Sequence, residues 1–173
     1  YPKLITFRYP KTGETNAICR VGVVQLEEDT TTWMKVPGDP RNHYLARMEW
    51  AENSDELLLQ QLNRLQNQNK VMLANAHSGE VKTVYTDEDK AWIEVRFGFT
   101  RWIEKGKRFT YVSEREGWRQ LYLVSRDGKT VLKVTDGKYD IVRTLKVDKA
   151  EDLLYFIASP NNAAERYLYR IGL

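Results

Sequence analysis

The chain has 173 residues, 42% of them hydrophobic, and its 27 basic and 24 acidic side chains leave a formal net charge of only +3. That length can bury a real core, and the even interspersion of charge leaves no concentrated positive field to attract nucleic acid or anionic lipid. No apolar run approaches the roughly 20 residues needed to cross a bilayer, so no membrane segment is expected.

The chain opens Tyr1-Pro2-Lys3, with neither a starting Met nor the apolar stretch of a signal peptide, and reads as an excised internal segment. Cys19 stands alone, which excludes an intrachain disulfide and a thiolate metal cluster and leaves a small buried apolar residue as its simplest role. No Asn is followed two residues later by Ser or Thr. The usual N-glycosylation signature of a eukaryotic ectodomain is therefore missing, and a bacterial source is favoured.

In chain order, short runs rich in Val, Ile, Leu, Tyr, Phe, Trp and Thr alternate with clusters of Gly, Asp, Asn and Pro, an all-β signature. Residues 17–25 and 31–36 read as two strands. Residues 45–50, 56–61, 70–76 and 81–85 read as four more, with Asn67-Gln68-Asn69 and Ser78-Gly79 as turns. The same order returns in residues 99–103, 108–113, 120–124 and 131–135, where Asp127-Gly128 is the favoured pair for a two-residue hairpin turn. It begins again at 141–147, 153–157 and 167–171, with no fourth strand before Leu173.

A period of roughly 40 to 50 residues in short strands is the mark of propeller blades. The expected fold is a partial β-propeller of about three to four antiparallel four-stranded blades, truncated at both ends: outer strands of one blade in 1–38, blades in 43–87 and 92–136, and an incomplete blade in 137–173. Residues 55–66 support a second reading. Asn53-Ser54-Asp55-Glu56 has the spacing of a capping box and Leu58, Leu62 and Leu65 recur at helical intervals, which would make an amphipathic helix. The repeat instead makes 56–61 a strand paired with 70–76.

Several elements resemble the propeller domain of the dipeptidyl peptidase IV family: Tyr1-Pro2-Lys3, Tyr9-Pro10-Lys11-Thr12-Gly13 with Asn16, Trp50, Leu62-Asn63-Arg64-Leu65-Gln66-Asn67, and Ser113-Glu114-Arg115-Glu116-Gly117-Trp118-Arg119. The resemblance runs from Tyr1 to Leu173. It implies a large propeller that covers an α/β-hydrolase domain and admits small, unfolded, often Pro- or Ala-containing peptides for removal of N-terminal dipeptides. It also implies a periplasmic or extracellular parent.

No residue in the chain is assigned to catalysis. None of the serines, Ser54, Ser78, Ser113, Ser125 and Ser159, sits in a Gly-x-Ser-x-Gly elbow, and all lie in or beside expected turns. His77 adjoins Ser78, but neighbours on a strand point to opposite faces. Neither His77 nor His43 has a carboxylate or second His at metal-ligand spacing, so no metal and no cofactor is expected. His43 reads as a loop residue.

Family members bind the substrate amino terminus through a Glu-Glu pair and an Arg upstream of this segment. The doublet here, Glu27-Glu28, reads as a hairpin turn, and that role is not carried over. Arg96-Phe97 falls where the family places an Arg-Phe element near the extended substrate subsite, which makes Arg96 and Phe97 the candidate substrate-binding residues. For Phe97, packing at a blade edge is the other reading.

The functional expectation is a non-catalytic propeller segment that gates and positions peptide substrates for a hydrolase domain outside this chain. Expected partners are that domain, the remaining blades, peptide substrates and, since cut blade faces are apolar, a second copy as a homodimer. The alternative is a non-enzymatic periplasmic propeller that binds a protein or glycan through its rim. Trp33, Trp92, Trp102 and Trp118 favour it if exposed, although buried blade core is the simpler role for them.

Overall fold

The structure, a computed structural model, describes residues 2–7, 11–96, 98 and 100–173. Among the described residues, thirteen strands form four antiparallel sheets that follow one another along the chain. Strands β1 (Gly22–Gln25) and β2 (Thr30–Trp33) pair as a hairpin. Strands β3 (His43–Trp50), β4 (Glu56–Asn63), β5 (Gln68–Asn75) and β6 (Val81–Glu88) make a four-stranded meander. A second meander contains β7 (Trp102–Ile103), β8 (Arg108–Ser113), β9 (Gln120–Ser125) and β10 (Val131–Lys133). The last sheet has β11 (Ile141–Asp148), β12 (Leu153–Ala158) and β13 (Tyr167–Gly172).

The sheets pack face to face through three apolar cores. Val21, Met34, Leu57, Leu59 and Met72 fill the space between the first sheet and the second. Leu58, Val71, Tyr85, Trp102, Phe109 and Tyr111 fill the next. Leu121, Ile141, Leu154 and Phe156 fill the third. Successive sheets that bury both faces against their neighbours are what propeller blades require, because one blade cannot cover its own apolar face.

This double burial decides the helix-or-strand ambiguity at 55–66. Leu57 and Leu59 enter the first core while Leu58 enters the second, the period of two that a strand supplies and a helix does not. Because both faces are buried, the strand reads as a continuous apolar run with no polar alternation to mark it. The capping-box residue Asn53 bonds the chain locally, its Oδ1 accepting from Asp55 N (3.0 Å) and Glu56 N (2.8 Å) at the entrance to β4.

The structure corrects several sequence expectations. Ser125 N donates to Thr130 O across a longer loop than Asp127-Gly128 suggested, and Gly128 has a positive φ of 77° while Asp127 does not. A two-residue turn of the expected type needs positive φ at both central positions. Cys19 is exposed, since the chain enters the first core only at Val21. His43 begins β3 and is buried, not a loop residue. Only Trp102 is core; Trp33, Trp92 and Trp118 are exposed, as is Trp50.

Candidate functional site

Between β6 and β7 the chain crosses from one meander to the next through residues 89–101, at the sheet end that also carries the β4–β5 and β8–β9 turns. Asp89 starts the crossing: its N donates to Asn67 O (3.0 Å), and its Oδ1 accepts from Ala91 N (2.7 Å) and Trp92 N (3.3 Å). Ile93 is buried, and its N donates to Gln66 O (2.8 Å). The β4–β5 turn is thus a ledge for the crossing segment. Asn63 builds that ledge, since its Oδ1 accepts from Asn67 N (3.0 Å) and Gln68 N (3.1 Å) and its Nδ2 donates to Asn67 Oδ1 (2.7 Å).

Arg96 lies on this segment. Its Nη2 donates to Glu94 Oε2 at 2.7 Å, and the two side chains are 42% and 51% exposed. The bond holds the Glu94 carboxyl below, and the Arg96 guanidinium above, their ordinary values, so the pair stays charged and open to solvent. Phe97 lies outside the described residues. Glu27 and Glu28 are exposed in the turn between β1 and β2, apart from this segment in the sequence and in the sheet order.

A polar cluster that residue patterns alone did not assign shares a small depression with Glu94. Asp87, only 3% exposed near the end of β6, accepts at Oδ1 from Ser113 Oγ (2.7 Å), Arg115 Nη2 (2.9 Å) and Arg115 Nε (3.2 Å). The Arg115 guanidinium sits over the rings of Tyr85 (5.0 Å) and Tyr122 (5.5 Å). Arg119 pairs with Glu114, and its N donates to Asp140 Oδ1 (2.8 Å). The only sequence signal for this cluster was the motif from Ser113 to Arg119, which carried no individual roles.

Two depressions open here. One of about 20 Å³, room for one water, lies between Trp92, Glu94, Arg115 and Arg119. The other, about 620 Å³, is a cleft between the turn at 63–67 and the turn at 114–117, with Gln68, Glu88 and Lys90 on its walls. Amide side chains and charged groups of both signs line the larger one. Away from this site, His77 Nε2 lies 3.0 Å from Asp55 Oδ1, a carboxylate 22 positions away that local spacing could not reveal. Ser78 Oγ accepts from Glu80 N (3.2 Å), in a turn rather than on a strand. Among the described residues no group of three or more His, Cys, Asp or Glu side chains is placed to hold a metal ion.

The family model described as the dipeptidyl peptidase IV N-terminal region matches residues 1–173. The chain belongs to that family. It is 25% identical over 183 residues to a probable dipeptidyl peptidase 4 of Emericella nidulans, covering 99% of this chain and 24% of that protein. It is 24% identical over 177 residues to the dipeptidyl peptidase 4 of Trichophyton rubrum, covering 99% of this chain and 23% of that protein. Among solved structures, the dipeptidyl peptidase 4 of Porphyromonas gingivalis matches with a TM-score of 0.88 at 27% identity, over 97% of this chain and 24% of that one. A putative dipeptidyl aminopeptidase IV from Bacteroides ovatus shares the fold, with a TM-score of 0.86 at 21% identity over 96% of this chain and 26% of that one. The chain therefore spans about a quarter of the length of these relatives. The dipeptidyl peptidase IV family thus accounts for the partial propeller, while the relatives quoted come from both fungi and bacteria and leave the expected bacterial source open.

Proposed function

We propose that this chain is a substrate-gating section of the propeller of a serine-type dipeptidyl peptidase acting outside the cytoplasm, and that the hydrolytic serine belongs to a hydrolase domain outside residues 1–173. The observation that carries the reading is the end-to-end match to the dipeptidyl peptidase IV N-terminal region, with a fold that superimposes on a peptidase of that name. In this reading Arg96 and Phe97 contact the peptide, Arg96 as a solvent-facing donor paired with Glu94. Alone, the chain has apolar outer faces and pairs with a second copy.

The test is steady-state kinetics of the longer polypeptide on a Gly-Pro chromogenic amide and on peptides. Loss of a charge-assisted hydrogen bond by Arg96→Ala raises KM about tenfold or more while kcat stays nearly constant. An unchanged KM contradicts the assignment of Arg96.

The exposure of Trp33, Trp50, Trp92 and Trp118 favours a second reading, a rim that binds a protein or glycan without catalysis. A polypeptide that neither reacts with a serine-directed fluorophosphonate nor turns over the amide favours that reading over the peptidase.

A further inference from the structure

Two carbonyl groups bracket Arg96 and Phe97 in the sequence, and each is held by a side chain from a different sheet. Val95 O accepts from Arg47 Nη2 at 3.1 Å, and Arg47 lies on β3. Gly98 O accepts from Thr144 Oγ1 at 2.6 Å, and Thr144 lies on β11. Both donors come from the first strand of their sheets, on either side of the sheet that the crossing segment enters.

Both sit beside a break in strand register. On β3, Leu45 pairs with Gln61 and Arg47 with Gln60, so Ala46 is an extra residue. On β11, Thr144 pairs with Phe156 while Val142 and Leu145 are extra residues on either side of it. A bulge bends a strand and re-aims the next side chain, a device concentrated near functional sites. Arg47 is fixed further by donating from Nη1 to Ala46 O (2.7 Å), and Thr144 is buried at 4% exposure. At its two ends, Ile93 is tied to Gln66 and Thr100 is buried.

We infer that Arg47 and Thr144 are positioning residues that hold the main chain at Val95 and Gly98, and so present Arg96 to a peptide substrate. They do so through the main chain, without touching substrate. The inference rests on the subsite reading of Arg96 and Phe97, and it adds that substrate affinity depends on two residues some fifty positions away on either side.

The experiment compares wild type, Arg47→Ala, Arg47→Lys, Thr144→Val, Arg96→Ala and Arg47→Ala/Arg96→Ala in the longer polypeptide. Amide hydrogen exchange reads the positioning directly. Arg47→Ala and Thr144→Val each speed exchange of residues 93–98 about tenfold, while β4 and β5 keep wild-type rates and Arg47→Lys restores part of the protection. Unchanged exchange at 93–98, or equal acceleration throughout the chain, overturns the inference. In kinetics, Arg47→Ala and Thr144→Val raise KM about three- to tenfold with kcat preserved, and the double variant matches Arg96→Ala alone. Effects of Arg47→Ala and Arg96→Ala that simply add overturn it too, since Arg47 would then act independently. If Arg96→Ala leaves KM unchanged the subsite reading fails, and the exchange data alone decide whether Arg47 and Thr144 hold the segment.

Discussion

Gly128 rests directly on the backbone of Val84: a Cβ placed on Gly128 would lie 1.8 Å from the Val84 carbonyl oxygen. Gly79 repeats the contact one sheet earlier, where a Cβ would lie 2.4 Å from Trp33 O. Each glycine closes the loop between the third and fourth strands of its sheet, has positive φ, and lets that loop press on the last strand of the preceding sheet. Both glycines are thus required twice, once by conformation and once by close approach.

Gly128→Ala is expected to destabilise the chain by about 2–4 kcal/mol, from the left-handed backbone together with overpacking. Gly117, also at positive φ but with nothing within 4 Å of a built Cβ, is the control and loses only the backbone part, about 1–2 kcal/mol. Urea titration of the two variants gives the difference.

The Asp87–Arg115 pair joins β6 to the β8–β9 turn with the carboxylate almost fully buried. Arg115→Leu leaves that carboxylate without its cation and should cost about 3–5 kcal/mol, whereas Asp87→Asn leaves an Arg that water can reach and should cost about 1–2 kcal/mol. Equal losses in chemical denaturation would show that the two ends of the pair are solvated alike.

Burial lowers the pKa of His43 below its ordinary 6.5, with Asp39 opposing. Gln61 Nε2 donates to Pro37 O (2.8 Å) and lies 3.0 Å from His43 Nδ1, a bond that needs the ring neutral there. Because the folded chain binds the proton less well than the unfolded chain, the His43 contribution to stability is complete above pH 6.5 and falls as pH drops below it. Glu49, whose carboxyl is raised by burial, titrates in the opposite sense. The difference in unfolding free energy between wild type and His43→Asn, followed from pH 7.5 to 5, isolates the histidine and should shrink on acidification.

Much of the fold was legible because strands, turns and a repeat of fixed order agree on one architecture. The strand at 56–61 was ambiguous because Leu57, Leu58 and Leu59 serve two cores at once, which erases the polar alternation that usually marks a strand. Trp33, Trp92 and Trp118 misled the expectation of burial: all three are exposed, Trp33 with the Arg20 guanidinium 3.9 Å over its ring. Arg96 was legible as a candidate subsite residue only through family resemblance. Arg47 and Thr144 were invisible, since nothing in a linear pattern announces a bulge that turns a side chain toward a carbonyl 48 or 46 positions away.

Val24, Met48 and Trp50 are exposed at one end of the array, where a groove of about 340 Å³ runs between them and Leu57. Leu168 is exposed at the other end, on β13. Apolar sheet faces of this kind favour self-association, with about 25 cal/mol per Å² of apolar area opposing an association cost of about 4–15 kcal/mol. Sedimentation equilibrium at micromolar concentration should detect a dimer of the 20.3 kDa chain. A single monomeric species across a hundredfold dilution series rules it out, and Trp50→Glu should weaken a dimer formed through the first end.

In the proposed function, this chain shapes access to a serine nucleophile that lies outside residues 1–173. The most direct measurement is to label the longer polypeptide with a fluorophosphonate and map the modified serine by peptide mass spectrometry. One labelled serine is expected outside residues 1–173 and none within them. Label on Ser54, Ser78, Ser113, Ser125 or Ser159 would contradict that function.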